Sequence, residues 1–319
     1  MTYDYAVYGL TLQSNRPMAG FAPADADVPR VTIDFAGAPV DDFGDAPFWD
    51  NGFETLWHRP DGTWLLRYVD SRDGSFWTID YDADGTRLTV RWSKDSMLDD
   101  IPSVLQGPGL AAALHLRGVP MLHASVLAVE GSAIALIGAP GAGKSTTAAA
   151  FVARGFASMS DDLAALAIDG AAVRVQAGYP RLRAFADSAE AAGFVADDLP
   201  NVFFADVLGP KRYVELSAEQ GTFQPHALPL RAVYYLLPRI LGKREPLIEA
   251  LSTRQALPVL LQNLYSTRFL DHARRVPLIR AIAGVAATIP VRAVQASDDL
   301  DALPRLVEAI AADARQIDG

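Results

Sequence analysis

Residues Gly138–Leu166 read GAPGAGKSTTAAAFVARGFASMSDDLAAL. The opening stretch Gly138-Ala139-Pro140-Gly141-Ala142-Gly143-Lys144-Ser145 fits G-x-x-x-x-G-K-[ST] at every fixed position. An apolar run, SAIALIGA (132–139), precedes it, and a helical pattern, STTAAAFVAR (145–154), follows. Strand, glycine-rich turn and helix are the context in which this pattern binds phosphate. The glycines permit the φ values that aim successive N–H groups at one anion. Lys144 reaches the β and γ oxygens, and Ser145 supplies a hydroxyl to Mg²⁺. Gly138 to Thr146 are therefore the candidate nucleotide-binding residues, with ATP and Mg²⁺ the expected ligands. Gly155 stands where a left-handed helix cap belongs.

Past the helix, FASMS makes a short strand that ends on Asp161-Asp162. Asp161 lies 17 positions beyond Lys144, room for one helix, one glycine turn and one return strand. That path returns two carboxylates to the phosphates, although adjacent acids at a strand end can also be a simple turn. An ordinary P-loop NTPase carries its metal-organising acid on a separate, later strand. Here the best such strand, within RAVYYLLP (231–238), runs into Pro238-Arg239. No N-K-x-D segment is present to read a guanine.

Working outward, GLAAALHLR (109–117) reads as a short helix. MLHASVLAV (121–129) and SAIALIGA read as strands paired antiparallel across Glu130-Gly131. Downstream, 252–266 and 272–287 read as amphipathic helices, with Pro258 and Pro277 in first turns or at kinks. VRAVQA (291–296) is a strand and 300–314 a closing helix. Strands and helices mix, so this half is α/β.

Before residue 100 the pattern is β. VTIDF (31–35), WLLRYV (64–69) and the hairpin FWTIDYDADGTRLTVRW (76–92) are its clearest pieces, and the Pro-, Gly- and Asp-rich stretch from Ala22 to Asp50 reads largely as loops. All five tryptophans fall here, which predicts a smaller β-rich domain over 1–100 and a P-loop domain over 101–319.

The chain of 319 residues carries a net charge of −10 without a basic patch, which argues against a nucleic-acid partner. It has no cysteine, so disulfides and thiolate metal sites are excluded. No apolar run approaches the ~20 residues that span a bilayer. MTYDYAVYGL lacks the basic and apolar regions of a secretory signal. A cytoplasmic protein without nucleic-acid or membrane partners is expected, with a homo-oligomer left open.

The segment LHASVLAVEGSAIALIGAPGAGKSTTAAAFVARGFASMSDDLAAL (122–166) resembles the core of the HPr kinase/phosphorylase family, whose nucleotide core is phosphoenolpyruvate-carboxykinase-like. YGLTLQS (8–14) and PRLRAF (180–185) are similar to HPr-kinase-like proteins that accompany biosynthesis of modified peptides, lasso peptides among them. Some of these phosphorylate a serine of the precursor peptide. The resemblance implies an ATP-dependent kinase acting on a serine of a peptide or protein; the alternatives are a kinase of free serine or a sugar, and a non-catalytic nucleotide-gated binding module. Asp161 would be the general base, Asp162 a helper that orients or coordinates Mg²⁺, and Lys144 the phosphate-contacting lysine. His123 would be either a tuner of Asp161 across the sheet or a core residue.

This chain also departs from the family. Ala139-Pro140 and Thr146 replace its usual P-loop residues, and His123-Ala124 replaces its His-Gly. The later segment associated with phosphorolytic dephosphorylation is not found. Arg181 and Arg183 alternate on one strand, and Lys211-Arg212 follow a Gly-Pro turn; either pair could meet ATP or an acidic peptide, or be a surface pair. His58, His115, His226 and His272 lack metal-ligand spacing.

Overall fold

The computed structural model describes residues 1–24, 30–37, 43, 46–70, 73–94, 101–200, 211–242 and 245–317. The chain divides into two compact units, one of Met1–Val119 with Ser266–Arg274, the other of Pro120–Tyr265 with Arg275–Gly319. The division falls after Val119, later than the composition change near residue 100, because the helical segment that follows the strands packs on them. Residues 95–100, where the sequence put its boundary, lie outside the described residues, as does much of the loop-rich stretch between 22 and 50.

The first unit is one nine-stranded sheet. Its strands are β1 (Tyr3–Val7), β2 (Leu10–Ser14), β3 (Ala22–Pro23), β4 (Arg30–Gly37), β5 (Trp49–Asp50), β6 (Glu54–His58), β7 (Trp64–Val69), β8 (Phe76–Tyr81) and β9 (Arg87–Trp92). They lie in the order β3-β1-β2-β4-β9-β8-β7-β6-β5. The expected hairpin is β8–β9, with Ile79 opposite Val90 and Tyr81 opposite Leu88. Period-2 alternation puts Trp77, Ile79 and Tyr81 on the inner face, each at most 1% exposed. Burial of a side chain of this size contributes about 1.5–3 kcal/mol.

The inner face is covered by α1 (Ile101–Val104), one π turn at Leu105–Gly109, and α2 (Leu110–Leu116). This stretch is longer than the helix expected at 109–117, since Gly107 and Pro108 interrupt the pattern without ending it. The Tyr81 hydroxyl donates to the Gly109 carbonyl at 3.0 Å, so the large ring can be buried without an orphaned polar atom. Segment 266–274 closes the unit through Arg268, whose guanidinium is 2.8 Å from the Glu54 carboxylate.

In the second unit the elements are β10 (Met121–Leu122), β11 (Ala124–Val129), β12 (Ser132–Ile137), α3 (Lys144–Ala153), β13 (Ser158–Ser160), β14 (Ala164–Asp169), β15 (Ala172–Val175), β16 (Arg181–Phe185), α4 (Ala186–Ala191), β17 (Lys211–Glu215), β18 (Leu228–Leu236), β19 (Leu247–Ala250), α5 (Thr253–Gln262), α6 (His272–Thr288), β20 (Val291–Gln295) and α7 (Leu303–Gln316). Helix α6 starts in the 266–274 segment. The main sheet runs β10-β14-β15-β18-β12-β11-β13, with β20 beside β18 and β19 beside β20. As expected, β11 and β12 pair antiparallel, while β12 and β18 are parallel. Strands β16 and β17 form a separate two-stranded ribbon.

The Ala-rich helix α3 buries Ala148, Ala149, Ala150, Phe151 and Val152 between the sheet and Leu303, Leu306, Val307 and Ile310 of α7. Small side chains let this helix approach the sheet closely, and Gly155 caps it at φ 85.

Two expectations need correction. The run 121–129 is not one strand: it breaks at His123, whose backbone N–H donates to the Asn263 carbonyl at 2.7 Å. Met121–Leu122 then pair with β14 and Ala124–Val129 with β12. Of the two places expected for Pro258 and Pro277, the first turn is not the one found: both lie inside their helices, α5 and α6. Helix α5 starts on a capping box built from Ser252 and Gln255, and that fixes its first turn ahead of Pro258.

Candidate active site

Strand β12 ends at Ile137, and the chain must turn sharply while lying against β18. A Cβ at Gly138 would come 2.8 Å from the Leu236 carbonyl oxygen, so only glycine fits. The Gly138 N–H donates to Asn263 Oδ1 at 3.0 Å. Gly143, at φ 92, is the N-cap of α3, and its carbonyl accepts from the Thr147 N–H at 2.9 Å. The loop therefore leads into a helix N-terminus, whose first N–H groups have no partner within the helix, the arrangement that favours an anion.

Lys144 folds back over this loop, with Nζ donating to the Gly138 carbonyl at 2.8 Å. It is 8% exposed. Burial lowers its pKa, and the charges of Asp162 and Asp161 oppose that shift. An ammonium with one neutral acceptor and a cost of desolvation is well disposed toward an incoming phosphate. Thr146 behaves differently from the other candidate nucleotide contacts. Its hydroxyl is 2.8 Å from that of Ser188 on α4, so it ties α3 to α4.

Strand β13 pairs with β11 and carries the chain back to Asp161, whose carboxylate is 1% exposed. Asp161 Oδ1 accepts from the Ser125 hydroxyl at 2.8 Å and faces the Ser145 hydroxyl at 3.5 Å. Oδ2 accepts from the Arg183 backbone N–H at 2.9 Å. Burial raises the Asp161 pKa, and the neighbouring Asp162 charge raises it further, against the lowering effect of the Arg183 N–H and Ser125 bonds.

Asp162 occupies a left-handed backbone conformation, φ 71, that turns its carboxylate into different surroundings. His123 Nδ1 is 3.3 Å from Oδ1 and 3.0 Å from the Asp162 carbonyl oxygen. The Tyr265 hydroxyl donates to Oδ2 at 3.4 Å, and an Arg183 Nη stands 3.8 Å away. About a third of the Asp162 side chain, 32%, stays exposed. Burial alone would raise its pKa, but the charges of His123, Arg183, Lys211 and Lys144 together hold it below the ordinary carboxylate value. Two adjacent aspartates are thus tuned in opposite directions by different neighbours.

The structure brings Lys144, Ser145, Asp161, Asp162 and His123 together. His123 faces Asp162, not Asp161, across the sheet. Arg183 joins the cluster through both its N–H and its guanidinium, whereas Arg181 pairs with Glu215 at 2.7 Å. Sequence reasoning missed Ser125, Asn263 and Tyr265. Ser125 had a signal, since it lies two residues beyond His123, on the same face of the strand expected over 121–129. Asn263 and Tyr265 had none, because Asn263 lies 125 positions from the loop it braces.

Among the described residues, no group of three or more His, Asp and Glu side chains forms a ready-made metal cage. His58 stacks on Trp64 in the first unit and His115 is buried in α2. A buried carboxylate against a serine hydroxyl at the mouth of an anion cradle still suits Mg²⁺, which is commonly held by one or two carboxylates plus substrate phosphates. Among the described residues no helix is long and apolar enough to cross a membrane.

No protein-family model matches the sequence, and no curated protein matches it. Among solved structures, the HPr(Ser) kinase/phosphatase from Coxiella burnetii is similar over 61% of this chain and 95% of that chain. The sequence identity is 11% and the TM-score 0.33, an overlap too loose to assign a function.

Proposed function

We propose that this protein is an ATP-dependent phosphotransferase that passes the γ-phosphoryl group to a hydroxyl, and that the acceptor is a serine of a peptide or protein. The observation that carries the reading is the meeting of the Gly138–Ser145 anion cradle with Asp161, whose Oδ1 lies 3.5 Å from the Ser145 hydroxyl. The acceptor class rests on the resemblance of 122–166, YGLTLQS and PRLRAF to kinases of modified-peptide biosynthesis.

The backbone N–H groups at the start of α3 bind the β-phosphate, and Lys144 leaves the Gly138 carbonyl to meet the β and γ oxygens. Ser145 and Asp161 would hold Mg²⁺, which neutralises charge developing on the phosphates. Both Asp161 oxygens already accept hydrogen bonds, so its office is to organise the metal side. Asp162 is the better general base. Its carboxylate is partly open, stays ionised, and is held by His123 and Tyr265. It takes the serine proton as the oxygen attacks phosphorus and the bond to ADP breaks, and the proton ends on the Asp162 carboxyl.

Recognition of the acceptor falls to the aromatic-rich β unit, which carries exposed Phe48 and Phe53. The test is to incubate the protein with γ-phosphate-labelled ATP, Mg²⁺ and serine-containing peptides, beside free serine and sugars. Label in peptide serine supports the reading. Label only in a small molecule changes the acceptor, and nucleotide binding with no labelled product makes the protein a nucleotide-gated binding module.

A further inference from the structure

Strand β18 runs parallel to the P-loop strand β12 and ends beside it. In P-loop proteins an acid at such a strand end organises the metal, but here the chain continues Leu237-Pro238-Arg239. The Arg239 side chain turns onto the P-loop itself. Its Nε donates to the Ala142 carbonyl at 3.4 Å, and a Cβ at Gly143 would overlap its guanidinium. Arg239 is held in place by the β18–β20 register, since the Ile240 N–H donates to the Ala296 carbonyl at 3.0 Å. Asp298, the carboxylate that acts on it electrostatically, does not cancel its burial.

We infer that Arg239 is a positioning residue for the nucleotide, bracing the outer face of the P-loop and adding a fixed positive charge on the flank away from the aspartates. This deepens the phosphotransferase reading and rests on it. A loop that aims its N–H groups inward turns carbonyls outward, so a guanidinium on the Ala142 carbonyl acts on the back of the cradle. There it polarises the peptide whose N–H points at the anion, and it holds Gly143 in the left-handed conformation that opens α3.

The sheet order fixes the charge layout. Strand β12 lies between β18 and β11, and β13 lies beyond β11. The cation therefore arrives from one side and Asp161-Asp162 from the other. A carboxylate at the β18 end would repel the phosphates in a site already holding two acids, whereas arginine offsets them. Arginine suits the place because its charge persists despite partial burial and its planar head can lie flat on a glycine.

The experiment measures ATP and ADP binding by calorimetry without metal, so that Ser145 and the aspartates contribute little, in wild type, Arg239→Gln and Arg239→Lys. The Gln variant should bind both nucleotides about tenfold more weakly, the scale of one charged hydrogen bond. The Lys variant should recover most of the loss, and the gap between wild type and Gln should shrink in high salt. Circular dichroism melts establish that each variant is folded. A folded Gln variant with wild-type affinity overturns the proposal. So does equal weakening in Gln and Lys without salt dependence, which would mark a packing role. Failure of wild type to bind nucleotide would instead overturn the phosphotransferase reading. Should Gln not fold, the Lys variant decides the question alone: wild-type-like affinity with a wild-type salt slope supports the role of charge, and a tenfold loss refutes it.

Discussion

Replacing Asp161 by Asn separates the cost of its buried charge from its use. The native carboxylate is 1% exposed, and burial together with Asp162 raises its pKa above the ordinary 3.8. A raised pKa means that the folded chain holds the proton more tightly than the unfolded one. The associated stability is complete below about pH 3.8 and is lost as pH rises through the folded value. Asparagine suffers no such loss. Its Oδ1 can accept from the Arg183 N–H while its amide donates to the hydroxyl oxygens of Ser125 and Ser145, which must turn from donors to acceptors.

In a folded unit of this size 1 kcal/mol of stability moves Tm by about 2–4 °C, so a modest change is readable by calorimetry. Metal-free Asp161→Asn should therefore melt above wild type at pH 7, the gap closing toward pH 4. With saturating Mg²⁺ and ATP the order should reverse, because only wild type gains the full binding energy. Differential scanning calorimetry across pH, with and without Mg²⁺–ATP, measures both. A destabilised metal-free variant, or a gap that ignores pH, would refute the reasoning.

Asp162→Asn should lower transfer by about 10²–10⁴-fold at every Mg²⁺ concentration, whereas Asp161→Asn should raise the Mg²⁺ requirement; recovery of Asp162→Asn at high Mg²⁺ would exchange the two roles. Because Asp162 is held below the ordinary carboxylate value, its protonation should limit kcat/KM only below about pH 4, and an acid limb near neutrality would point to another base. Asn263→Ala strips the Gly138 N–H of its acceptor and leaves a buried donor, a cost of about 1–3 kcal/mol, so both Tm and nucleotide affinity should fall. Phe53→Ser, at a position 48% exposed, should raise the acceptor KM while leaving the Kd for ATP unchanged; equal affinity for acceptor would remove the first unit from recognition.

The local parts of this architecture are legible in the sequence. The P-loop needs glycine where backbone meets backbone, and the β8–β9 hairpin announces itself by alternation around Asp84-Gly85. The 17-residue spacing brings Asp161 back because helix, turn and strand have fixed rises. Longer-range features are not legible in this way. The break at His123 comes from a hydrogen bond to Asn263, and nothing near 123 encodes it. The surroundings of Asp161 and Asp162 differ because one backbone angle turns Asp162 toward His123 and Tyr265, a distinction two identical letters cannot carry. The return of 266–274 to the first unit likewise depends on Arg268 finding Glu54.

The central claim is tested most directly by following the γ-phosphate of labelled ATP in wild type and Lys144→Ala with Mg²⁺ and a panel of serine peptides. Wild type should move label to a peptide serine, and Lys144→Ala, with its phosphate contact removed, should bind ATP weakly and transfer nothing. Label that never leaves ATP except to water, or transfer that survives loss of Lys144, would contradict the account.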